Sequence, residues 1–420
     1  MRQRFFYGWV IVFVLMGMFA MSSGARYTFG VTLKSLTEQF GWGRGALSAV
    51  VSLSLLLVSA FQIVGGWLAD RFRPRLVLTV GFAVSTLVLL GMSFVTELWQ
   101  VYLLYGFLGA IGFALASPVA STAMVNQWFR ARSRGTALSL ATSGVAVGQL
   151  LVTPIAAALL VSDGWQSSYR AIALFMGLIA FPLVVVLLRN APLEQAAGGD
   201  ASRASKTADS EKTPLSKAIR TATFWELLIG VFSCGFTMSF ASVHFVAFAS
   251  DMGMGEMVAG EVLGLSGAFS IIGAIIMGKW SDRIGRRIPL GVTYTLRALS
   301  FIILLFANNE ATLFFFAVIL GLSWTSTTPL SAAVTAETWG TRSSGFLFGV
   351  VFTFMTVGSS VGSYLAGLNY DLVHNYTAII IVNSAIAGLG ALASFAIRER
   401  RTADAAPALE AQPLAAAAGR

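Results

Sequence analysis

Charge is scarce in this chain. Asp, Glu, Lys and Arg make up 11% of its residues and hydrophobic types 56%, whereas an ordinary soluble domain carries about 25% charged residues. So little charge excludes a water-soluble surface over so much apolar sequence. Cysteine is nearly absent: Cys234 is the single copy and lies in an apolar run, which excludes a disulfide framework and a multi-cysteine metal centre. The two histidines, His244 and His374, are far apart. No metal-ligand spacing and no hydrolytic triad is suggested. No Gly-x-x-x-x-Gly-Lys-Ser/Thr stretch occurs, so nucleotide hydrolysis is not the expected energy source. Neither an enzyme nor a cofactor is expected. The net charge of +9 would suggest a nucleic-acid partner in a soluble protein. Here its distribution excludes one and points to a lipid bilayer.

What is present is apolar sequence in long runs, with a mean hydropathy of +0.77. About 20 apolar residues cross a hydrocarbon core of about 30 Å. Twelve runs reach that length, near 8–36, 45–69, 75–95, 99–125, 135–161, 168–189, 223–250, 257–280, 288–307, 311–336, 344–369 and 376–397. The first is too long for a removable signal peptide, and its Ser-Gly-Ala is followed by Arg26 and more apolar residues.

Lys and Arg alternate from one connection to the next. Arg2 and Arg4 precede the first segment. Arg71, Arg73 and Arg75 follow the second; Arg130, Arg132 and Arg134 follow the fourth; Arg189 to Arg220 fill the sixth connection. Lys279, Arg283, Arg286 and Arg287 lie at the eighth, Arg342 at the tenth, and Arg398, Arg400 and Arg401 after the last. The opposite side holds Lys34, Arg44 and Arg170. The positive-inside rule then places both termini in the cytoplasm, with a multi-pass protein in a cell membrane, the bacterial inner membrane.

The chain repeats itself. Gly41-Trp42-Gly43 matches Gly253-Met254-Gly255, and Gly66-Trp67-Leu68-Ala69-Asp70-Arg71 matches Gly278-Lys279-Trp280-Ser281-Asp282-Arg283, both at an offset of 212 residues. Ser117-Pro118 matches Thr328-Pro329, and Asn126-Gln127-Trp128 matches Glu337-Thr338-Trp339, at 211. A constant register implies two parallel copies of a six-helix bundle. The expected division is an N-terminal bundle over 1–189, a flexible cytoplasmic linker over 190–222, a C-terminal bundle over 223–400 and a disordered tail over 401–420.

With these motifs the chain resembles the major facilitator superfamily over essentially its whole length. That resemblance implies an all-α membrane fold of twelve transmembrane helices in two pseudo-symmetric bundles. The Gly-x-x-x-Asp-Arg motif stands as Gly66, Asp70 and Arg71, with Arg73 where the family usually has glycine. The second copy, Gly278, Asp282 and Arg283, is complete. In the family this motif latches the cytoplasmic side during gating. A narrower resemblance is to the monocarboxylate branch, including bacterial oxalate/formate-type carriers. It rests on Tyr7-Gly8-Trp9, on the Trp128–Leu140 stretch and on His244-Phe245-Val246 followed by Asp251-Met252-Gly253. The arginine that many such carriers hold in helix 8 is Ala274 here. Arg26-Tyr27-Thr28-Phe29, with Glu38-Gln39 and Arg44-Gly45, also looks like the first helix of organophosphate and organic-anion transporters, whose arginine binds the anion.

Arg26 is the first candidate for chemistry. A guanidinium stays charged in a protein, and at the centre of a spanning helix it costs roughly 2.5–3.5 kcal/mol on insertion scales. At 1.5 Å per residue it lies roughly 27 Å along the helix from Gly8. Its expected role is paired hydrogen bonds to a carboxylate. Tyr27 and Trp324 are expected to wall the substrate's carbon skeleton, Gln149 to face the cavity, and His244 to bind substrate or carry a proton. Arg297, midway along the ninth segment, is expected to pair with Glu261. Pro118 and Pro329 are expected to bend their helices. Together these imply a monomeric secondary transporter moving a small organic anion, a monocarboxylate first, by proton symport. A drug or metabolite exporter is the alternative reading, and a non-transporting membrane sensor a third.

Overall fold

A computed structural model describes residues 6–117, 121, 124–125, 127–129, 131–190, 214–339 and 341–398; the side chains of residues 66, 70, 131–136 and 341–346 fall outside the description. Among the described residues there are twelve helices long and apolar enough to cross a membrane: α1 (Gly8–Phe40), α2 (Arg44–Ala69), α3 (Pro74–Met92), α4 (Leu98–Leu115), α5 (Ala137–Asp163), α6 (Trp165–Leu187), α7 (Ala222–Asp251), α8 (Glu256–Ile284), α9 (Arg287–Leu305), α10 (Glu310–Trp339), α11 (Leu347–Val373) and α12 (Thr377–Ala396). No strand occurs among them. Each helix falls where a long apolar run predicts one. The fourth is shorter than its run, because the chain turns at Ala116–Ser117; Pro118 itself lies outside the described residues.

Large apolar side chains such as Ile63, Leu178, Phe306 and Leu392 are exposed on the bundle exterior, each by more than two thirds. Lipid can cover such a surface at no cost, whereas water cannot. The helices form two bundles, α1–α6 and α7–α12. The repeat seen in the sequence is a repeat in the backbone. Gly41 and Gly253, the paired glycines, both end a helix in the left-handed region, with φ of 68° and 79°, which a side chain would resist.

We call the end of the molecule at which α1 begins the near face, and the other the far face. Two seams join the bundles, α2 against α11 and α5 against α8. Both close backbone to backbone at small residues. A Cβ built on Gly264 of α8 would lie 2.8 Å from Pro154 of α5. One on Gly367 of α11 would meet Ser48 and the Arg44 carbonyl of α2.

Three helices carry a π-helical turn: Tyr102–Leu108 in α4, Met176–Ala180 in α6 and Phe240–His244 in α7. Such turns leave the regular ladder short of bonds and re-aim side chains. α10 is interrupted at Thr325–Ser326 and restarts at Thr327, with Pro329 in its new first turn. Proline is tolerated there because first-turn N–H groups have no intrahelical partner. Of the expected linker over 190–222, residues 191–213 lie outside the described residues. Leu215–Ala218 make a helical turn, and Ala218 is fully buried near Phe224. The expected tail over 401–420 lies outside them as well.

Candidate binding site between the two bundles

Arg26 lies past the middle of α1 and is exposed. Its neighbours on the same helix face are not: Phe19, Ser22, Ser23, Phe29 and Leu33 are each 8% exposed or less. A lipid-facing stripe would expose residues one and two turns away as well. The guanidinium therefore opens on a local space inside the protein. α4 flanks it: the Arg26 Cζ sits 5.7 Å from the centre of the Phe113 ring, and the Tyr105 hydroxyl donates to the Arg26 carbonyl at 3.4 Å. One turn towards the far face, Gly30 meets the backbone of Ser242 in the π-helical turn of α7. That crossing roofs the space. Among the described residues no carboxylate pairs with Arg26. One turn towards the near face, the buried Ser22 hydroxyl has no hydrogen-bond partner among the described residues.

Tyr27 and Trp324 meet across the bundles, with ring centres 6.4 Å apart. They come from α1 and from the interruption of α10, and both are buried. Arg26 and this aromatic pair therefore share one level of the molecule. Gln149 is fully buried in the α5–α8 seam. Its Nε2 donates to Ser266 Oγ of α8 at 3.3 Å, while its Oε1 has no partner among the described residues. It bridges the bundles beside the space.

Arg297 does not pair with Glu261. The guanidinium is fully buried and donates instead to the carbonyls of Ser323 and Trp324, the last of the first half of α10. An interrupted helix leaves carbonyls without partners and a partial negative charge at its end. Arg297 answers both. Glu261 is exposed.

His244 stands away from Arg26, in a network near the far face. Its Nε2 lies 3.0 Å from the Ser363 carbonyl of α11 and 3.1 Å from Ser48 Oγ of α2. Its Nδ1 lies 3.2 Å from the hydroxyl of Tyr376, which precedes α12. Arg44 joins this network and is 3% exposed. It donates to Tyr376 at 2.8 Å and, through both terminal nitrogens, to Asp251 of α7 at 2.6 and 2.9 Å. Its Cζ lies 3.6 Å from the centre of the Tyr370 ring. Asp371 of α11 accepts the N–H groups of Arg44 and Gly45 at 2.9 and 2.7 Å, capping α2 from the other bundle. Lys34 of α1 reaches Asp251 and Ser250. Burial holds the Tyr376 phenol well above its ordinary pKa, so it remains a donor. These contacts close the far face.

At the near face, Asp282 pairs with Arg286 at 2.6 Å, and Arg286 reaches Glu337 of α10 at 3.0 Å. The hydrogen bond that Arg286 donates to Asp282 raises the Arg286 pKa further. This second gating motif thus ties the α8–α9 turn to α10. Gly278 has open space where a Cβ would stand, and Arg283 is exposed. In the first copy Arg71 is exposed and lies over Trp67 at 5.4 Å; the side chains of Gly66 and Asp70 lie outside the described residues. The Tyr7-Gly8-Trp9 and Trp128-Phe129 motifs come together. Tyr7 and Trp128 are 5.4 Å apart, Trp9 and Phe129 5.2 Å. Both also hold the end of α6: Tyr7 donates to the Leu187 carbonyl and Trp128 to that of Arg189.

Sequence reasoning missed the far-face network. Arg44 and Lys34 enter it as loop cations, and Asp251 as part of a motif. The available signal was a charge at the last turn of α7 facing one at the first turn of α2. Ser22 was missed too, although its spacing of four from Arg26 puts both on one face.

A family model described as Major Facilitator Superfamily matches residues 14–279 and again 227–418. The chain is 26% identical to monocarboxylate transporter 13 of Rattus norvegicus over 391 residues, covering 92% of this chain and 88% of that one. It is 24% identical to the oxalate:formate antiporter of Oxalobacter formigenes over 369 residues, covering 85% of each. Its fold superposes on the crystal structure of a bacterial homologue of the human lysosomal transporter Spinster, in an inward-facing and occupied conformation, with a TM-score of 0.77 at 13% identity, covering 93% of this chain and 97% of that one.

Proposed function

The chain belongs to the major facilitator superfamily and is a membrane transporter, not an enzyme; from that premise we propose that its cargo is a small organic anion, a monocarboxylate first, moved by alternating access with a proton. One observation carries this reading: a permanently charged side chain, Arg26, is exposed within a membrane span while its neighbours on the same helix face are buried, and it has no acidic partner among the described residues. A cation within a membrane span without a counter-ion is costly, and an incoming carboxylate relieves that cost with charge-assisted hydrogen bonds. Tyr27 and Trp324 give the carbon skeleton an apolar wall across both bundles. Gln149 bridges the seam beside it. Two relatives named for carboxylate carriage support the cargo class.

The Lys/Arg asymmetry supports a near face in the cytoplasm of a bacterial inner membrane. On that orientation the far-face network is an outer gate, here shut. Arg71 and the Asp282–Arg286–Glu337 chain lie on the cytoplasmic side, where the gating motif acts. His244 is the candidate proton carrier, and the carrier is expected to work as a monomer. The test is uptake of radiolabelled monocarboxylates into proteoliposomes under an imposed inward proton gradient. Saturable uptake that collapses with a protonophore and with Arg26→Ala is expected. Undiminished uptake by Arg26→Ala removes the anchor role. Broad drug resistance on expression, without carboxylate uptake, would favour the exporter reading.

A further inference from the structure

The outer network dictates where its hydrogens are. The Ser363 carbonyl can only accept, so His244 Nε2 carries a hydrogen. The Ser48 hydroxyl spends its hydrogen on the Arg44 carbonyl at 2.6 Å, so it meets Nε2 as an acceptor. The Tyr376 oxygen accepts from Arg44, and its own hydrogen is left to point at Nδ1. Nδ1 must therefore be bare. The hydrogens of His244, Ser48 and Tyr376 each have a place when the imidazole is neutral.

A second proton on His244 breaks this arrangement at one atom. Nδ1–H and Arg44 would both donate to the Tyr376 oxygen, and the phenol hydrogen would lose its acceptor inside a fully buried cluster. The new charge would also stand beside Arg44. The groups around it leave no spare anion. Asp251 of α7 is shared by Arg44 and Lys34. Asp371 of α11 is committed to backbone N–H groups. Glu38 of α1 pairs with Lys34 at 3.8 Å. Tyr370 already faces Arg44, and Glu256 at the start of α8 feels Lys34 and Glu38.

We propose that His244, Tyr376 and Arg44 form a proton-operated latch: the outer gate closes only over neutral His244, and protonation of Nδ1 releases it. Nδ1 takes its proton from outside water as an N–H bond forms, and gives it to the bound carboxylate, or back to outside water when no cargo is bound, before the gate re-forms. Such a latch sets the order of events, since the gate opens outward with its proton aboard. It rests on the transport reading for its orientation, but not on the identity of the cargo.

The test needs no substrate. In a Cys234→Ser background, spin labels on Thr96→Cys and Asn308→Cys report the separation of the two bundles at the far face by double electron–electron resonance in nanodiscs. As the pH falls from 8 to 5.5, the long-distance population should rise, by up to about tenfold per pH unit for one linked proton. His244→Gln should stay closed across the range. Tyr376→Phe removes the donor to Nδ1, so protonation becomes easier and the opening should move to higher pH. A wild-type distance that ignores pH overturns the proposal, as does a response that survives in His244→Gln or does not move in Tyr376→Phe. Arg26→Ala should keep the full pH response. If it loses carboxylate uptake yet keeps that response, the two ideas stand apart; uptake kept by Arg26→Ala sinks the cargo reading alone.

Discussion

Two arginines inside the spanning helices meet opposite fates. Arg297 is fully buried and holds two backbone carbonyls at the interruption of α10. Arg26, on the central face of α1, opens on an internal space with no acidic partner among the described residues. The same fixed charge thus serves as a built-in cap in one bundle and as an open valence in the other. Depth in the membrane does not separate a structural charge from a working one; what the charge is bonded to does.

The largest expected effect breaks the working side of that comparison. Arg26→Ala should lower kcat/KM for a carboxylate by about 100-fold, the value of a lost charge-assisted hydrogen-bond pair at about 3 kcal/mol, with thermal stability of the purified protein unchanged. A large fall in the melting temperature would place Arg26 with Arg297 instead. Arg297→Met should do the reverse. It strands buried carbonyls worth about 1–3 kcal/mol each, so melting temperature and yield drop while the folded remainder keeps its KM. Arg44→Ala comes next: losing the tie to Asp251 and Tyr376 should raise labelling of a far-face cysteine several-fold, read by maleimide modification. Trp324→Phe should raise KM by about two- to twelvefold, the range of about 0.5–1.5 kcal/mol for an aromatic contact. The smallest is Ser22→Ala. If its unpartnered hydroxyl assists Arg26, uptake assays should show a rise in KM of about fivefold, one neutral hydrogen bond.

The helices were legible because a span is an uninterrupted apolar length, a property of the chain read in one dimension. The repeat was legible for a similar reason: Gly41 and Gly253 need the same left-handed turn in the same place. Arg26 announced itself by being charged where charge is costly. The pairing of Arg297 with Glu261 failed as an expectation because opposite charge is a weak guide to a partner when unpaired carbonyls are nearer. Carbonyls have no letter in the sequence. The far-face network was illegible for another reason. Arg44 lies 207 residues from Asp251 and 332 from Tyr376, and nothing local to α2 announces either. His244 was picked out by residue type; its neighbours, which decide what it does, come from α2, α11 and the turn before α12.

The glycines of the two seams leave the carrier with a mechanical weakness. Where Gly264 rests on Pro154 and Gly367 on α2, a single added methyl acts as grit between closing jaws. Alanine at either glycine would prop the molecule ajar without altering a charged side chain, giving a dial on its resting posture.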